Sequence, residues 1–500
     1  MNFRILYLVF VLVFGYLLFF SWSQENKEKA AAIAAVEVDQ FEGGGAWGDL
    51  VSISNGVVKL TVDVVSGSIV ESRLLDYRKN KDVPNSSVRV FGYGDGFKFY
   101  HRSGLSSESV VYDLAESSKE RVVLLSPDGF KKVVGFSGRS PHIVVVEDSF
   151  EGLGDVPSPL VYSSLFRTNG QPIDGGETFF DRNSFYGFAF NTSEDPYVGY
   201  RFGSIDEPIR YDEFGRWMGF TEKYFLTAIL PSEDKATLFA EPVNSAGLYR
   251  AGVLKESSSS NVSEIYIGPK IRSELIKIAP DLELTIDMGW FWFLAQPLVV
   301  LLVFIQGFVH NWGWSIIVLT ILIKLLFWPL SSKGFRSMAK MRALSPKLQE
   351  LQSRHKNDRQ KLAQEMMSFY QKEKINPAGG CLPMLAQFPV FIALFFALRE
   401  TVELRHEPFV LWLGDLSAPD PFFVLPVVMA GMMYLTQKLN PQPPNMDPIQ
   451  AQVMKAMPIM ISVLFIWLPS GLVLYSVANA GISLVQQTYL YKQLGASLSE

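Results

Sequence analysis

The chain has 500 residues, of which 48% are apolar and 13% aromatic, and the apolar residues are concentrated in long runs typical of a membrane protein. Its single cysteine excludes an intramolecular disulfide and a thiolate zinc cluster, while the net charge of −5 says little because charge is unevenly distributed. No nucleotide-binding, serine hydrolase or zinc protease motif is present, so we expect neither an enzyme nor a cofactor.

The first predicted element is an apolar run from Ile5 to Trp22, which follows Arg4. About 18 residues at roughly 1.5 Å each nearly cover a hydrocarbon core of about 30 Å. This length favours a permanent transmembrane anchor, residues 1–23, over a cleaved signal peptide, and no small-residue cleavage site follows directly. Residues 24–46 are predicted to be a linker.

A β-rich region follows, over residues 47–269. Short runs such as Val51–Val65 and His142–Phe150 are rich in β-branched residues and are separated by Gly, Asn, Asp and Ser. This spacing predicts a large all-β sandwich of antiparallel strands. The serine-rich stretch Lys255–Glu264 is predicted to be a surface loop.

The C-terminal part, residues 312–490, is predicted to be a helical core of five spans. The candidate spans are Trp312–Leu330, Cys381–Leu398, Phe422–Gln437, Pro458–Leu468 with its flanks, and Gly471–Leu490. Residues 333–374, between the first two spans, carry eleven Lys or Arg against four Asp or Glu, a net charge of +7. Because positively charged loops stay in the cytoplasm, this segment sets the orientation.

Residues 290–309 are also long and apolar enough to span. If they crossed the membrane and the N-terminus were inside, the +7 segment would lie outside. We therefore expect residues 270–311 to contain a linker and a helix that lies in the plane of the membrane. The prediction is then about six spans, both termini in the cytoplasm, the β-domain outside, and a short tail, residues 491–500.

The basic segment is predicted to form a helical hairpin, residues 333–376. Ser345-Pro346 starts one helix, and apolar residues recur at helical spacing in two stripes. Six residues form the candidate interaction surface: Arg354, Lys356, Arg359, Lys361, Leu362 and Met366. The alternative is that this charge only fixes topology.

Lys324 is a charged residue inside an apolar run, where a charge is costly and is a functional hypothesis by default. Counting from the cytoplasmic end of its span places it roughly 10 Å deep, and Gln387 of the next span reaches the same depth. Thr320 shares the helix face of Lys324, and Ser462 and Gln486 fall in the inner halves of their spans. The alternative for Lys324 is simple snorkelling.

Polar residues in these spans stop midway, because Val390–Leu398 is wholly apolar. A pore needs polar lining through the whole thickness, so the pattern favours a cavity open to the cytoplasm and sealed outside. A transporter or channel with an outer sensor domain is the competing hypothesis. A third is an anchored sandwich that binds or hydrolyses carbohydrate.

Several stretches resemble the YidC membrane protein insertase family of Gram-negative bacteria. They are "NWGWSIIVLTILIKLLFWPL", "INPAGGCLPMLAQFPVFIAL" and "PSGLVLY", with a looser likeness in "LTVDVVSGSIVESRLLDY" of the β-region. The resemblance implies a membrane protein insertase and folding factor of the inner membrane, with the β-domain in the periplasm. It also implies a hydrophilic groove for new membrane proteins, with the groove cation at Lys324.

The same resemblance implies nascent membrane proteins, the Sec translocon and the lipid bilayer as partners. Two departures from the family pattern concern mechanism. Lys324 stands where most relatives carry Arg, and the tail "YKQLGASLSE" lacks a basic extension. Ribosome contact is left open, and any such contact would fall to the hairpin and the loop Lys438–Lys455.

Overall fold

The computed structural model describes residues 48–497 except residues 85, 95–96, 106–109, 153–159, 169–184, 203, 206, 213–214, 232–235, 244–246, 257–259, 356–358, 374–381 and 441–447. The predicted anchor, the linker after it and Lys356 lie outside the described residues. The described chain forms two compact units, of which one ends at Thr285 and the other begins at Ile286.

The first unit is built of antiparallel strands. Their bounds are β1 Leu50–Ser54, β2 Val58–Asp63, β3 Ser68–Arg78, β4 Ser87–Gly94, β5 Phe97–Gly104, β6 Asp113–Ser117, β7 Arg121–Leu125, β8 Phe130–Phe136, β9 Ile143–Phe150, β10 Leu160–Thr168, β11 Gly187–Asn191, β12 Val198–Arg201, β13 Ile209–Tyr211, β14 Trp217–Thr221, β15 Phe225–Pro231, β16 Thr237–Pro242, β17 Leu248–Glu256 and β18 Ser260–Pro269.

These strands form two nine-stranded sheets, in the orders β1-β2-β3-β4-β5-β10-β17-β16-β13 and β12-β11-β14-β15-β18-β9-β8-β7-β6. Alternation along β2 shows how the core forms, since Val58, Leu60 and Val62 are buried and Lys59 is exposed. The predicted all-β domain is confirmed, as two antiparallel sheets.

Charged residues are buried inside this unit only with partners. The Lys132 ammonium lies 2.9 Å from Asp148 Oδ1, and the Arg167 guanidinium is paired with Glu222. All four side chains are almost fully buried. Pairing and additional hydrogen bonds offset the cost of removing such charges from water.

The predicted loop Lys255–Glu264 is largely strand. Lys255 and Glu256 end β17, and Ser260–Glu264 begin β18. Asn261 and Ser263 are buried on β18, where the amide of Asn261 donates to Ser263 Oγ at 3.3 Å. The prediction was wrong because small polar residues occupy inward positions, which hides the period of two.

The first unit continues beyond the last strand. Helix α1, Arg272–Ile278, is followed by a single 3₁₀ turn, Leu282–Thr285. The indole of Trp217 donates to Pro280 O at 2.9 Å, and the Lys270 ammonium donates to Thr285 O at 3.0 Å. These contacts tie residues 270–285, predicted as linker, to the β-sandwich.

The second unit is helical. Its helices are α2 Trp292–Val309, α3 Trp312–Leu326, α4 Trp328–Ala343, α5 Ser345–Arg354, α6 Arg359–Lys372, α7 Leu382–Glu400, α8 Val424–Leu439, α9 Pro448–Leu464 and α10 Ser470–Ser497. By length and composition, α2 is the one described helix that could cross a membrane unbroken, and α3 with α4 could do so as a bent pair.

The predicted span Trp312–Leu330 is broken. Helices α3 and α4 meet at Phe327 with a bend of 68°. Pro329 explains the break, because it has no N–H for the carbonyl of Leu325 and its ring clashes with that carbonyl. The predicted straight helix therefore ends at Leu326.

An apolar core holds the helical unit together. Ile316 and Leu319 of α3 pack in one buried cluster with Leu394 and Leu398 of α7 and Leu472 of α10. Each of these side chains is at most 3% exposed. The same three helices carry the polar residues described next.

Candidate functional site: a buried lysine between three helices

Helices α3, α7 and α10 each change from an apolar part, which packs in the core, to a polar part beside it. On α3, Ile316 and Leu319 of the apolar core precede Lys324. On α7, Gln387 precedes core residues, and on α10 the polar residues follow Leu472. The three changes coincide because the helices pack side by side, so polar side chains meet next to the apolar core.

Lys324 is the centre of this polar cluster. Its side chain is only 4% exposed. The ammonium donates to Gln387 Oε1 at 3.1 Å and to Ser483 Oγ at 2.6 Å. Both acceptors are neutral, and no carboxylate of the described residues forms an ion pair with Lys324. The ammonium is therefore nearly desolvated without a counter-charge.

Two further contacts complete the cluster. The Gln387 amide donates to Asn479 Oδ1, and the Ser483 hydroxyl donates to the backbone oxygen of Asn479 at 2.8 Å. Lys324 has donors only, so each neighbour must present a lone pair to it. We call Lys324, Gln387, Asn479 and Ser483 the lysine cluster.

Thr320 and Ser462 lie elsewhere. Thr320 is fully buried, and its hydroxyl donates to Ile316 O of its own helix at 2.7 Å. Ser462, on α9, is 6% exposed, and its hydroxyl has no hydrogen-bond partner among the described residues. Of these three residues, Gln387 is the one whose hydrogen bond to Lys324 is seen in the described part of the chain.

Gln486 belongs to a second polar contact, at the α3–α4 bend. Its amide donates to Ser332 Oγ at 3.1 Å and approaches Trp328 O at 3.4 Å. Since Ser332 and Trp328 lie on α4, Gln486 ties α10 to the segment just after the bend. It supports the polar end of the unit without touching Lys324.

The basic segment contains the two helices α5 and α6. Leu348 of α5 and Leu362 of α6 are buried, and the His355 ring lies 3.2 Å from Glu365 Oε2 of α6. Five of the six predicted hairpin residues can be placed: Leu362 is buried, Arg354 pairs with Glu350 at 2.6 Å, Arg359 begins α6, Lys361 is exposed and Met366 is half-buried. Helical order in the hairpin is thus present together with its charge.

Sequence reasoning missed Asn479 and Ser483. A signal was available, because Asn479, Ser483 and Gln487 recur every four residues on α10 and therefore share a helix face. Small polar residues are common in membrane helices, so this spacing attracts attention only beside a known partner such as Lys324.

Comparison with known families agrees with this architecture. Residues 304–497 match the family model of the 60Kd inner membrane protein, and residues 50–301 match that of the YidC periplasmic domain. The fold and site thus define an inner-membrane protein with a helical unit and a periplasmic β-domain. The chain belongs to the YidC family of membrane protein insertases.

Individual relatives are similar over most of their length. The chain is 39% identical to the membrane protein insertase YidC of Ectopseudomonas mendocina, over 90% of this chain and 85% of the relative. The same figures apply to the protein of that name from Azotobacter vinelandii. A crystal structure of an active YidC insertase with its first transmembrane domain resolved is 17% identical, with a TM-score of 0.41, and the match covers 90% of this chain and 92% of that one.

Proposed function

We propose that the chain receives hydrophobic segments of new membrane proteins in a groove around Lys324 and releases them into the inner membrane. Membership of the YidC family makes it a membrane protein insertase. The observation that carries the groove proposal is the burial of Lys324 against neutral acceptors only. A buried cation attracts an anion more strongly than it would in water, because the local dielectric is low.

The groove opens to the cytoplasm and is closed to the periplasm. Two observations support this orientation. The α4–α6 segment is strongly basic, which favours the cytoplasm, and it follows directly from the polar ends of the helices around Lys324. The apolar core of α3, α7 and α10 seals the opposite side. A continuous pore is not favoured, because the core cluster in the described part of the chain is apolar.

The topology has six spans with both termini in the cytoplasm, and α2 lies in the membrane plane at the periplasmic face. The aromatic residues of α2 support its placement, since Trp292, Phe293, Phe304 and Phe308 are all more than half exposed. Trp and Phe side chains are suited to the membrane interface. Thr320, Ser462 and Gln486 contribute to the polar half of the bundle.

Partners beyond the clients follow from the same orientation. The chain acts alone or beside the Sec translocon, and the hairpin α5–α6 captures clients or ribosomes on the cytoplasmic side. The exposed cations Arg354 and Lys361 on the two helices support this role for the hairpin. Insertion requires no covalent chemistry by the protein and no cofactor.

The test compares two clients that differ only in their translocated tails, one acidic and one neutralised, in proteoliposomes with Lys324 variants. Lys324→Arg should function, Lys324→Ala should insert the acidic client several-fold less well, and Lys324→Glu should be worst through charge reversal. The control is Lys333→Ala, an exposed lysine on α4. If Lys324→Ala inserts both clients as the wild type does, the lysine only snorkels and the groove mechanism is wrong.

A further inference from the structure

The side chain of Asn479 is linked to Lys324 through Gln387, which is hydrogen-bonded to both. A glutamine amide has an oxygen on one side and an NH₂ group on the other. In the structure the Gln387 oxygen accepts from Lys324, while its NH₂ group donates to Asn479 Oδ1. An amide rotated by half a turn would direct two donors at an ammonium, which is unfavourable.

The acceptor on Asn479 favours the same orientation of Gln387 that the Lys324 ammonium favours. Ser483 needs no such help, because its hydroxyl donates to the Asn479 backbone oxygen and leaves a lone pair for Lys324. The two acceptors together hold the ammonium at one position. They use two of its three N–H groups, so the ammonium can still donate to one more acceptor.

We propose that Asn479 is a positioning residue that acts through Gln387 on Lys324 and sets the preference of the groove for acidic client tails. This inference rests on the proposed function of Lys324. A preorganised ammonium binds a carboxylate without first losing side-chain freedom. If Gln387 can rotate, the Lys324 ammonium is mobile and must lose side-chain freedom when it binds a carboxylate.

The experiment uses full-length protein in proteoliposomes, at equal amounts of reconstituted protein, with the acidic and neutralised clients. Asn479→Leu replaces the amide by an apolar side chain of similar size. It should lower the ratio of acidic to neutral client insertion by roughly two- to tenfold, the range expected for the loss of one hydrogen bond. Insertion of the neutral client should fall less than insertion of the acidic client.

A double substitution separates positioning from a merely structural role. If Asn479 acts through Lys324, then Lys324→Ala with Asn479→Leu should give the same ratio as Lys324→Ala alone. The control is Ser476→Ala on the same helix, whose buried hydroxyl donates to Leu472 O and which should keep the wild-type ratio. Asn479→Ala serves if the Leu variant does not accumulate.

Three outcomes would overturn the inference: an equal loss for both clients, a further loss in the double variant, or a wild-type ratio for Asn479→Leu and Asn479→Ala. These results are distinct from a failure of the proposed function. If the proposed function is wrong, Lys324→Ala itself leaves the ratio of acidic to neutral client insertion unchanged. If Lys324→Ala lowers the ratio and the Asn479 variants do not, the lysine keeps its role and only the positioning role of Asn479 is wrong.

Discussion

Two buried lysines, one in each unit, show how differently the chain treats the same residue type. In the β-domain, Lys132 is fully buried, 2.9 Å from Asp148 Oδ1, and donates to the backbone oxygen of Ser103 at 2.7 Å. In the helical unit, Lys324 is almost as buried, but its hydrogen bonds within the described residues go to the neutral oxygens of Gln387 and Ser483. The charge of Lys132 is balanced within the fold, and that of Lys324 is not.

Under the proposed function, this difference separates a structural charge, that of Lys132, from a functional one, that of Lys324. A balanced buried pair contributes to the shape of the β-domain and leaves nothing for a ligand. An unbalanced cation lowers stability, because it is removed from water without full compensation. Its presence is explained if a client supplies the missing negative charge during insertion.

The largest expected effect comes from breaking the balanced pair. Asp148→Asn leaves Lys132 buried without a counter-charge, which should lower the free energy of unfolding of the β-domain by about 3–5 kcal/mol. Pulse proteolysis of the purified full-length protein in urea measures this change. Asp128→Asn, at an exposed position, is the control and should unfold as the wild type does.

The matched change in the helical unit should behave in the opposite way. Lys324→Met keeps the side-chain volume and removes an unbalanced charge. The free energy of unfolding of the helical unit should therefore stay the same or rise by about 1–2 kcal/mol. A loss of stability as large as that of Asp148→Asn would show that the two lysines are equivalent, and the comparison would be wrong.

A smaller effect is expected in the hairpin, which lies outside both lysine sites. Leu362→Pro places a proline inside α6, which costs about 3 kcal/mol locally, and it should impair insertion of both clients. Lys361→Gln removes one exposed charge and should have little effect. Equal and negligible effects of the two changes, measured in the same proteoliposome assay, would favour a segment that only fixes topology.

The sequence predicted the lysine site only in part. Counting residues from one side of the membrane placed Lys324 and Gln387 at equal depth, and they are in contact. Thr320 lies four residues before Lys324 and so shares its helix face, but the Thr320 hydroxyl donates to its own helix at Ile316 O. Asn479 was missed because its role depends on the orientation of a neighbouring amide, which no sequence pattern specifies.

The fold was predictable where local rules act alone. Runs of β-branched residues between turns were sufficient for an all-β domain, and Ser345-Pro346 located the start of helix α5. The bend between α3 and α4 was not predicted, although Pro329 indicates a helix break, because the continuous apolar run through Leu330 favoured a single span. The prediction of a loop at the serine-rich start of β18 was wrong because tertiary packing buries small polar residues there.

The central claim is that the groove around Lys324 opens to the cytoplasm. The side of the membrane from which the lysine cluster can be labelled tests this claim most directly. In a Cys381→Ser background, a cysteine replaces half-buried Gln387 or, as the control, Leu394 of the apolar core. A membrane-impermeant maleimide should label Gln387→Cys in inverted vesicles and leave it unlabelled in spheroplasts, and Leu394→Cys should be unlabelled in both. Labelling of Gln387→Cys from the periplasmic side would contradict a groove that is open to the cytoplasm and sealed outside.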